Sequence, residues 1–276
     1  MTNRDRSFKV AFLAVVVVTT LVVVFPFYWM LVNALQSGSA RFAYPVRYLP
    51  DNWDFRSFGT VFRTSEVGRW LINSFVVSAA AAAAALVVGS WGAYAISRFR
   101  SKGVRAVSYL ILATQMMPPV VLMIPLFVIV RQLGLVDTLL SLVLANAIFA
   151  IPVTTWMLKS IFDSIPVDLE EAGMIDGCTR MQTLWKITVP IAIPGFIAAG
   201  LFAFIASWDE YMFSRTVITS PRMWVGTIGI VSFIGEWQAP WDQINAAAFL
   251  FTLVPVLLFL LVQKYFIVGI TGGVKE

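Results

Sequence analysis

Residues 164–190 mix acids with apolar side chains in a pattern that fits docking to a partner. Pro166 suits a first helical position, and Asp168, Glu170 and Glu171 follow it, where carboxylates favour the positive end of a helix dipole. Val167, Leu169, Ala172 and Ile175 supply apolar contacts on the same short helix. Asp176 and Gly177 then read as a turn, with glycine free to take a positive φ. Thr179 with Gln182 three residues later reads as a capping box that starts a second short helix. Exposed Met174, Ile175 and Met181 would gain little in an isolated chain, so a docked protein is the economical explanation. An amphipathic loop lying on lipid would instead be basic, and anionic headgroups would repel this acidic one.

Catalytic alternatives are thin. The chain has no histidine, which removes imidazole metal sites, histidine acid–base chemistry and Ser-His-Asp triads. Cys178 is the single cysteine, so an internal disulfide, a CxxC pair and a thiolate zinc cage are all out. No Gly-x-x-x-x-Gly-Lys-Ser/Thr loop is present to cradle a nucleotide phosphate.

The composition says what must hold these residues in place. Of 276 residues 59% are hydrophobic and only 13% charged, with a mean hydropathy of +0.82. A soluble domain carries about a quarter charged residues, so this chain lacks the charge to cover a water-facing surface. Its high apolar content and net charge of +5 also exclude disorder. Six apolar segments reach the roughly 20 residues a spanning helix needs: about 10–35, 70–96, 106–130, 138–158, 187–208 and 244–263. None contains Asp, Glu, Lys or Arg. A seventh stretch, 223–234, is too short to cross and reads as interfacial or re-entrant. The expectation is an all-α membrane protein forming one domain over 1–276, with a loop at 161–186 between the fourth and fifth spans.

Basic residues lie at the ends of the apolar runs, as membrane orientation would place them, and nucleic-acid binding is not indicated. Arg4, Arg6 and Lys9, and then Arg98, Arg100, Lys102 and Arg105, belong on the cytoplasmic side. Both termini and the 161–186 loop are then cytoplasmic. The first outer loop dissents with Arg41, Arg47, Arg56, Arg63 and Arg69, partly offset by Asp51, Asp54 and Glu66. The first apolar run is too long for a signal-peptide core, so it is expected to be retained as a span.

Prolines punctuate the spans: Pro118, Pro119 and Pro125 in the third, Pro152 in the fourth, Pro190 and Pro194 in the fifth, Pro255 in the sixth. Each removes a backbone donor, so kinks or unwound backbone are expected. In the second span Ser78, the alanines from 79 to 85, Gly89 and Gly92 offer a small-residue surface for close packing. Polar residues at membrane depth are candidates for a solute path: Gln115, Asn146, Thr154, Thr155, Ser207, Trp208, Asp209 and Glu210. Aromatic and polar groups together suit a sugar, whose hydroxyls need partners while its CH faces stack on rings. Any one of them serves equally as an interhelical hydrogen bond.

Glu171, Ala172 and Gly173, then Gly177, then nine residues to Ile187 and Pro190, resemble the Glu-Ala-Ala cytoplasmic loop of ATP-binding-cassette importer permeases. Gly173 replaces the second alanine and Val189 the usual leucine. The resemblance extends along nearly the whole chain, to the carbohydrate-importer subgroup and its second maltose-type permease. Supporting stretches run from Pro26 to Met30, Asn73 to Phe75, Ala93 to Arg98, Trp208 to Glu210 and Gly269 to Lys275.

That resemblance implies a type I importer permease fold in a prokaryotic inner membrane, forming half of a translocation pore for a sugar or oligosaccharide. It implies a second permease of the same fold, an ATPase dimer and an extracytoplasmic sugar-binding protein as partners. The permease itself would catalyse nothing and bind no cofactor or metal, with ATP and Mg held by the ATPase. Glu171 would pair with a basic group of the ATPase, Met174 and Ile175 would supply apolar contact, and Gly177 would permit the bend at Asp176. The tail residues Gly273, Val274 and Lys275 would reach toward the ATPase, or simply fray. The 223–241 region would face the binding protein, or lie at the interface anchored by Trp224, Trp237 and Trp241.

Two other classes are weaker. A gradient-driven carrier or passive channel is the main rival, but coupled carriers usually bury an ionisable residue in the bundle, and the six windows lack one. The Asn-Pro-Ala tripeptide of water channels is absent. An intramembrane enzyme would need a Ser-Lys or carboxylate pair at membrane depth, and the spans carry neither.

Overall fold

The computed structural model describes residues 3–36, 44–50, 53–235 and 239–271, with side chains from 8 to 265 within those ranges. Every regular element among the described residues is helical. The chain groups into two compact units, Met1–Val67 with Ile230–Leu253, and Gly68–Gly229 with Val254–Glu276.

In the first unit, α1 (Asn3–Leu35) is followed by the short α2 (Arg56–Thr64). From Phe8 to Leu35, α1 is apolar on all sides, and its most apolar window has no buried residue. Such a helix satisfies its own backbone and needs an apolar solvent around it. Phe58 packs edge-on against Phe249, and Ser57 donates to the Asp242 carboxylate at 3.3 Å.

The second unit carries the functional residues. Its main helices are α3 (Val67–Arg98), α4 (Lys102–Gln115), α5 (Pro119–Gln132) and α6 (Leu139–Ser164). The short α7 (Val167–Ile175) and α8 (Arg180–Thr183) follow, and α8 runs through a π-helical turn (Leu184–Thr188) into α9 (Val189–Trp208). Next in the chain come α10 (Met212–Val217), α11 (Gly226–Ser232) and α12 (Trp241–Thr271), of which residues 230–253 belong to the first unit.

The 106–130 segment is not one straight span: α4 and α5 meet at an angle of 103°. Tandem prolines explain the break. Pro118 and Pro119 remove two successive donors, and the residue before a proline is driven out of the α region. Helices α1, α5, α6, α9 and α12 each run through a single internal proline (Pro26, Pro125, Pro152, Pro194 and Pro255) without ending.

Side-chain links mark the two ends of α3, α6 and α9. At one end, Arg98 of α3 and Thr188 before α9 both meet Glu170, and Ser97 meets Asp163 of α6. At the other, Asn73 of α3 donates to the carbonyls of Arg222 and Trp224, and Asp137 before α6 accepts from Thr219 and Ser220. The chain leaves the first end after Arg98 and reaches the second by Asp137, so α4 and α5 together carry it from one end of these helices to the other.

A core cluster sits at each end. Tyr94, Leu158, Phe162, Ile165, Leu184 and Ala192 pack at the Glu170 end, and Val77, Leu142, Phe213, Ile218 and Ile228 at the Asp137 end. Between them, Gly89 and Gly92 of α3 face Thr154 and Thr155 of α6, where an added Cβ would lie 3.1 and 3.3 Å from their methyls. The small-residue surface of the second span is thus a packing surface, and it accounts for the burial of both threonines.

Candidate functional site

The 161–186 region folds almost entirely as helix. Pro166 is the N-cap residue of α7, and its fixed φ suits that position. Asp168 and Glu170 lie in the first turn. The C-terminus is closed by two backbone bonds, Gly177 N–H to Met174 O at 3.1 Å and Cys178 N–H to Gly173 O at 3.0 Å. This is the Schellman arrangement, and it puts Gly177 at φ +91, where a Cβ would be strained. Both halves of the capping box form: Thr179 Oγ1 accepts from the Gln182 N–H, and Gln182 Oε1 accepts from the Thr179 N–H. The fifth span therefore begins earlier than expected, as one helix from Arg180 to Trp208. The loop's second helix and the membrane helix are continuous through the π turn.

The expected docking residues divide by exposure. Glu171, Ala172, Asp176 and Gly177 are exposed, and Ile175 is 85% exposed. Met174 is half-buried and Pro190 exposed. Gly173 is buried against Ile187, whose Cδ1 would lie 2.3 Å from a Cβ on that glycine. Leu169, Met181 and Trp185 add exposed apolar surface around the same bend.

The sequence places Glu170 with its neighbours as a helix-terminus acid, and the structure gives it a separate place. It is only 4% exposed, while Glu171 beside it is open. Successive helical residues point about 100° apart, which turns one carboxylate in and the other out. Oε1 of Glu170 accepts from Arg98 Nε at 2.9 Å, Arg98 Nη2 at 2.8 Å and Thr188 Oγ1 at 3.0 Å. Oε2 accepts from the Tyr94 hydroxyl at 2.9 Å. Burial alone would raise this carboxyl, but the hydrogen bonds from Arg98, Tyr94 and Thr188 outweigh it and hold the group below its ordinary pKa. Arg98 also donates to the Ile165 carbonyl and to Ser97 Oγ, which itself donates to Asp163. Arg180 stacks over Phe99 with its guanidinium carbon 5.1 Å from the ring centroid. The available signal was the last-turn arginine of α3, Arg98, in the 93–98 stretch, which needs a carboxylate once buried.

Three of the candidate path residues meet at one cavity. Asn146, Ser207 and Glu210 line a space of about 310 Å³ together with Pro119, Val120, Met123, Phe149, Ala150, Val153, Phe202, Ala206, Met212 and Phe213. Asn146 Nδ2 and Ser207 Oγ are buried and without a hydrogen-bond partner among the described residues. Glu210 is committed elsewhere: its carboxylate accepts from the Phe213 and Ser214 N–H groups and the Ser214 hydroxyl, which caps α10. Gln115 ends α4 at the break and is exposed. Thr154 and Thr155 pack on α3, Trp208 is buried in a stacked pair with Phe204, and Asp209 is the exposed C-cap residue of α9. Gly273, Val274 and Lys275, like Arg41, Asp51 and Trp237, lie outside the described residues. No cluster of metal-ligating side chains is found among the described residues.

Residues 85–270 match the family described as binding-protein-dependent transport system inner membrane component. The chain is 33% identical to the sulfoquinovosyl glycerol transport system permease protein SmoH of Agrobacterium fabrum, over 90% of this chain and 87% of that one. It is 30% identical to the trehalose/maltose transport system permease protein MalG of Thermococcus litoralis, over 93% of both chains. Its fold superposes on a chain of the crystal structure of a bacterial ABC transporter that imports the acidic polysaccharide alginate. The TM-score is 0.81 at 22% identity, covering 96% of this chain and 99% of that one.

Proposed function

The chain belongs to the family of binding-protein-dependent transport system inner membrane components, and from that premise we propose that it is one of two permease subunits of an ATP-driven importer for a sugar or oligosaccharide. The observation that carries this reading is the bend between α7 and α8: an exposed acid, an exposed apolar cluster and a glycine-locked turn, continuous with a membrane helix. The Glu170 end faces the cytoplasm on this reading, because Arg98, Arg100, Lys102 and Arg105 cluster there. Both termini share that side.

A partner ATPase would seat on Glu171, Met174 and Ile175. Nucleotide and Mg belong to the ATPase, and this chain supplies no catalytic group. ATP binding biases the permease only if the ATPase contacts this bend differently in its open and closed states. With α8 and α9 one helix, displacement of the bend becomes displacement of a membrane span. The named relatives support a sugar as the solute. The cavity at Asn146 and Ser207 supports a solute contact on this subunit, with two unsatisfied polar groups ready to meet hydroxyls.

Co-purification tests the reading. The tagged chain is extracted in mild detergent from membranes expressing its neighbours, alongside a variant carrying Glu171→Lys and Gly177→Asp. The expected result is a P-loop ATPase and a second multi-span permease with the wild type, and loss of the ATPase alone from the variant. Elution of the wild type alone or as a homo-oligomer would favour a stand-alone carrier or channel.

A further inference from the structure

Glu171 presents its carboxylate outward, but nothing about an outward contact explains why its neighbour is ionised inside. Burying a charged pair is expensive, and an apolar pair of the same volume would anchor α7 at least as well. What the pair adds is reach. α7 is joined covalently to α6 through Ile165 and Pro166, and to α8 through the turn at Gly177. It has no such tie to α3, which lies 72 residues away in sequence at the Arg98–Glu170 bond. The guanidinium closes that gap, and the same carboxylate holds Thr188 at the end of the π turn that leads into α9.

Resting on the importer reading, we infer that Arg98 and Glu170 are positioning residues for coupling: their buried ion pair makes the bend, α3 and α9 move as one body when the ATPase pulls. The attraction between buried charges is strong, and the two charge-assisted hydrogen bonds that seat it, at 2.9 and 2.8 Å, are short-ranged and directional, so the link resists stretching. Tyr94 and Thr188 fix the carboxylate's direction within it. Arg98 extends the strut to α6 through Ser97 and Asp163. Four helical elements thus converge on one guanidinium and one carboxylate. Force applied at Glu171 then has a route to the second span that does not pass through the backbone.

The test uses the whole transporter, with its ATPase, companion permease and binding protein, reconstituted in proteoliposomes. Solute uptake and ATP hydrolysis are measured together, for whichever sugar the wild type moves. Glu170→Gln and Arg98→Gln leave one buried group unmatched. The double variant Arg98→Met with Glu170→Met removes both charges, so it stays folded without the uncompensated buried charge that a single change leaves. In the double variant we expect the ATPase to remain bound and to hydrolyse ATP, while solute moved per ATP falls about tenfold, the scale of a typical coupling free energy between sites. Wild-type uptake per ATP in the double variant would overturn the inference and leave the pair as packing alone. Loss of the ATPase from that variant would overturn it too, placing the pair in docking. A wild-type chain that binds no ATPase fails the importer reading itself, before any variant is made.

Discussion

Asp137 and Glu170 lie at opposite ends of α6 and its neighbours, and they are satisfied by different donors. Asp137 sits in the turn between α5 and α6 at φ +61, and takes the N–H groups of Thr219 and Ser220, each at 2.9 Å, together with the Ser220 hydroxyl. No arginine or lysine is among those donors. Glu170 takes two bonds from Arg98 and one each from Tyr94 and Thr188. Backbone donors in a loop hold a carboxylate while the helices behind them adjust. A guanidinium anchored in a helix turn ties one helix rigidly to another. The contrast is between a clasp on loops at one end and a strut between helices at the end where force would enter.

Breaking the strut from one side should have the largest effect on stability. Arg98→Ala leaves the Glu170 carboxylate buried with two neutral donors and no cation. Removing one member of a buried pair costs about 3–5 kcal/mol. A lower thermal midpoint of the detergent-purified chain, recovered in part by adding Glu170→Met, is the expected result. If Arg98→Ala melted with the wild type, the ion pair would contribute nothing to this end.

Opening the clasp should cost less. Asp137→Ala deprives two N–H groups and a hydroxyl of their acceptor and puts alanine at a positive φ. A lost acceptor of this kind costs about 1–3 kcal/mol. Asp137→Asn keeps one acceptor oxygen and tolerates the left-handed backbone, so its midpoint should fall between those of the alanine variant and the wild type. A drop equal to that of Arg98→Ala would erase the distinction between the two ends.

Acid titration sharpens the same comparison. Burial would raise the Asp137 carboxyl, but the hydrogen bonds from Ser220 and Thr219 prevail and hold it low, as the Arg98, Tyr94 and Thr188 bonds do for Glu170. A carboxylate depressed in the folded state adds its stability in full above the unfolded pKa, and loses it as pH falls through the folded one. The thermal midpoint should therefore decline as the medium is acidified below about pH 4, where free carboxylates protonate. Glu170→Gln and Asp137→Asn should each remove part of that decline. Profiles that stay parallel to the wild type in both variants would show that other carboxylates govern the acid limb.

Sequence and structure agree best where the determinants are local. The capping box at Thr179 and Gln182, the positive φ at Gly177 and the close packing at Gly89 and Gly92 each depend on a few neighbouring residues or on side-chain size. The tandem prolines predicted a disturbance in the third span, but its 103° angle depends on what α4 and α5 pack against. Glu170 and Arg98 each stand in a recognisable stretch of sequence, yet no periodicity joins positions 72 residues apart. Glu210, a candidate path residue, lines the cavity with Asn146 and Ser207, and its carboxylate also caps the helix that starts two residues later. A polar residue at membrane depth has two uses, and only the neighbours decide between them.

Gly173→Ala should have the smallest effect, and it probes the seam between docking surface and strut. This substitution restores the alanine usual in the resembling loop motif. It raises helix propensity in α7, which favours the fold by up to about 1 kcal/mol. Against that, the new Cβ would meet Ile187 Cδ1 at 2.3 Å. That atom is the far end of a flexible side chain, so a rotamer change relieves the contact without moving backbone. The two terms oppose each other, and the midpoint should shift by less than about 1 kcal/mol in equivalent stability. Ile187→Val shortens the obstructing chain, so the double variant should be at least as stable as Gly173→Ala alone. A large loss in the single variant, undiminished by Ile187→Val, would mean that α7 and the π turn are locked face to face. The bend would then be rigid on both sides of Glu170, and Arg98 would be one link among several.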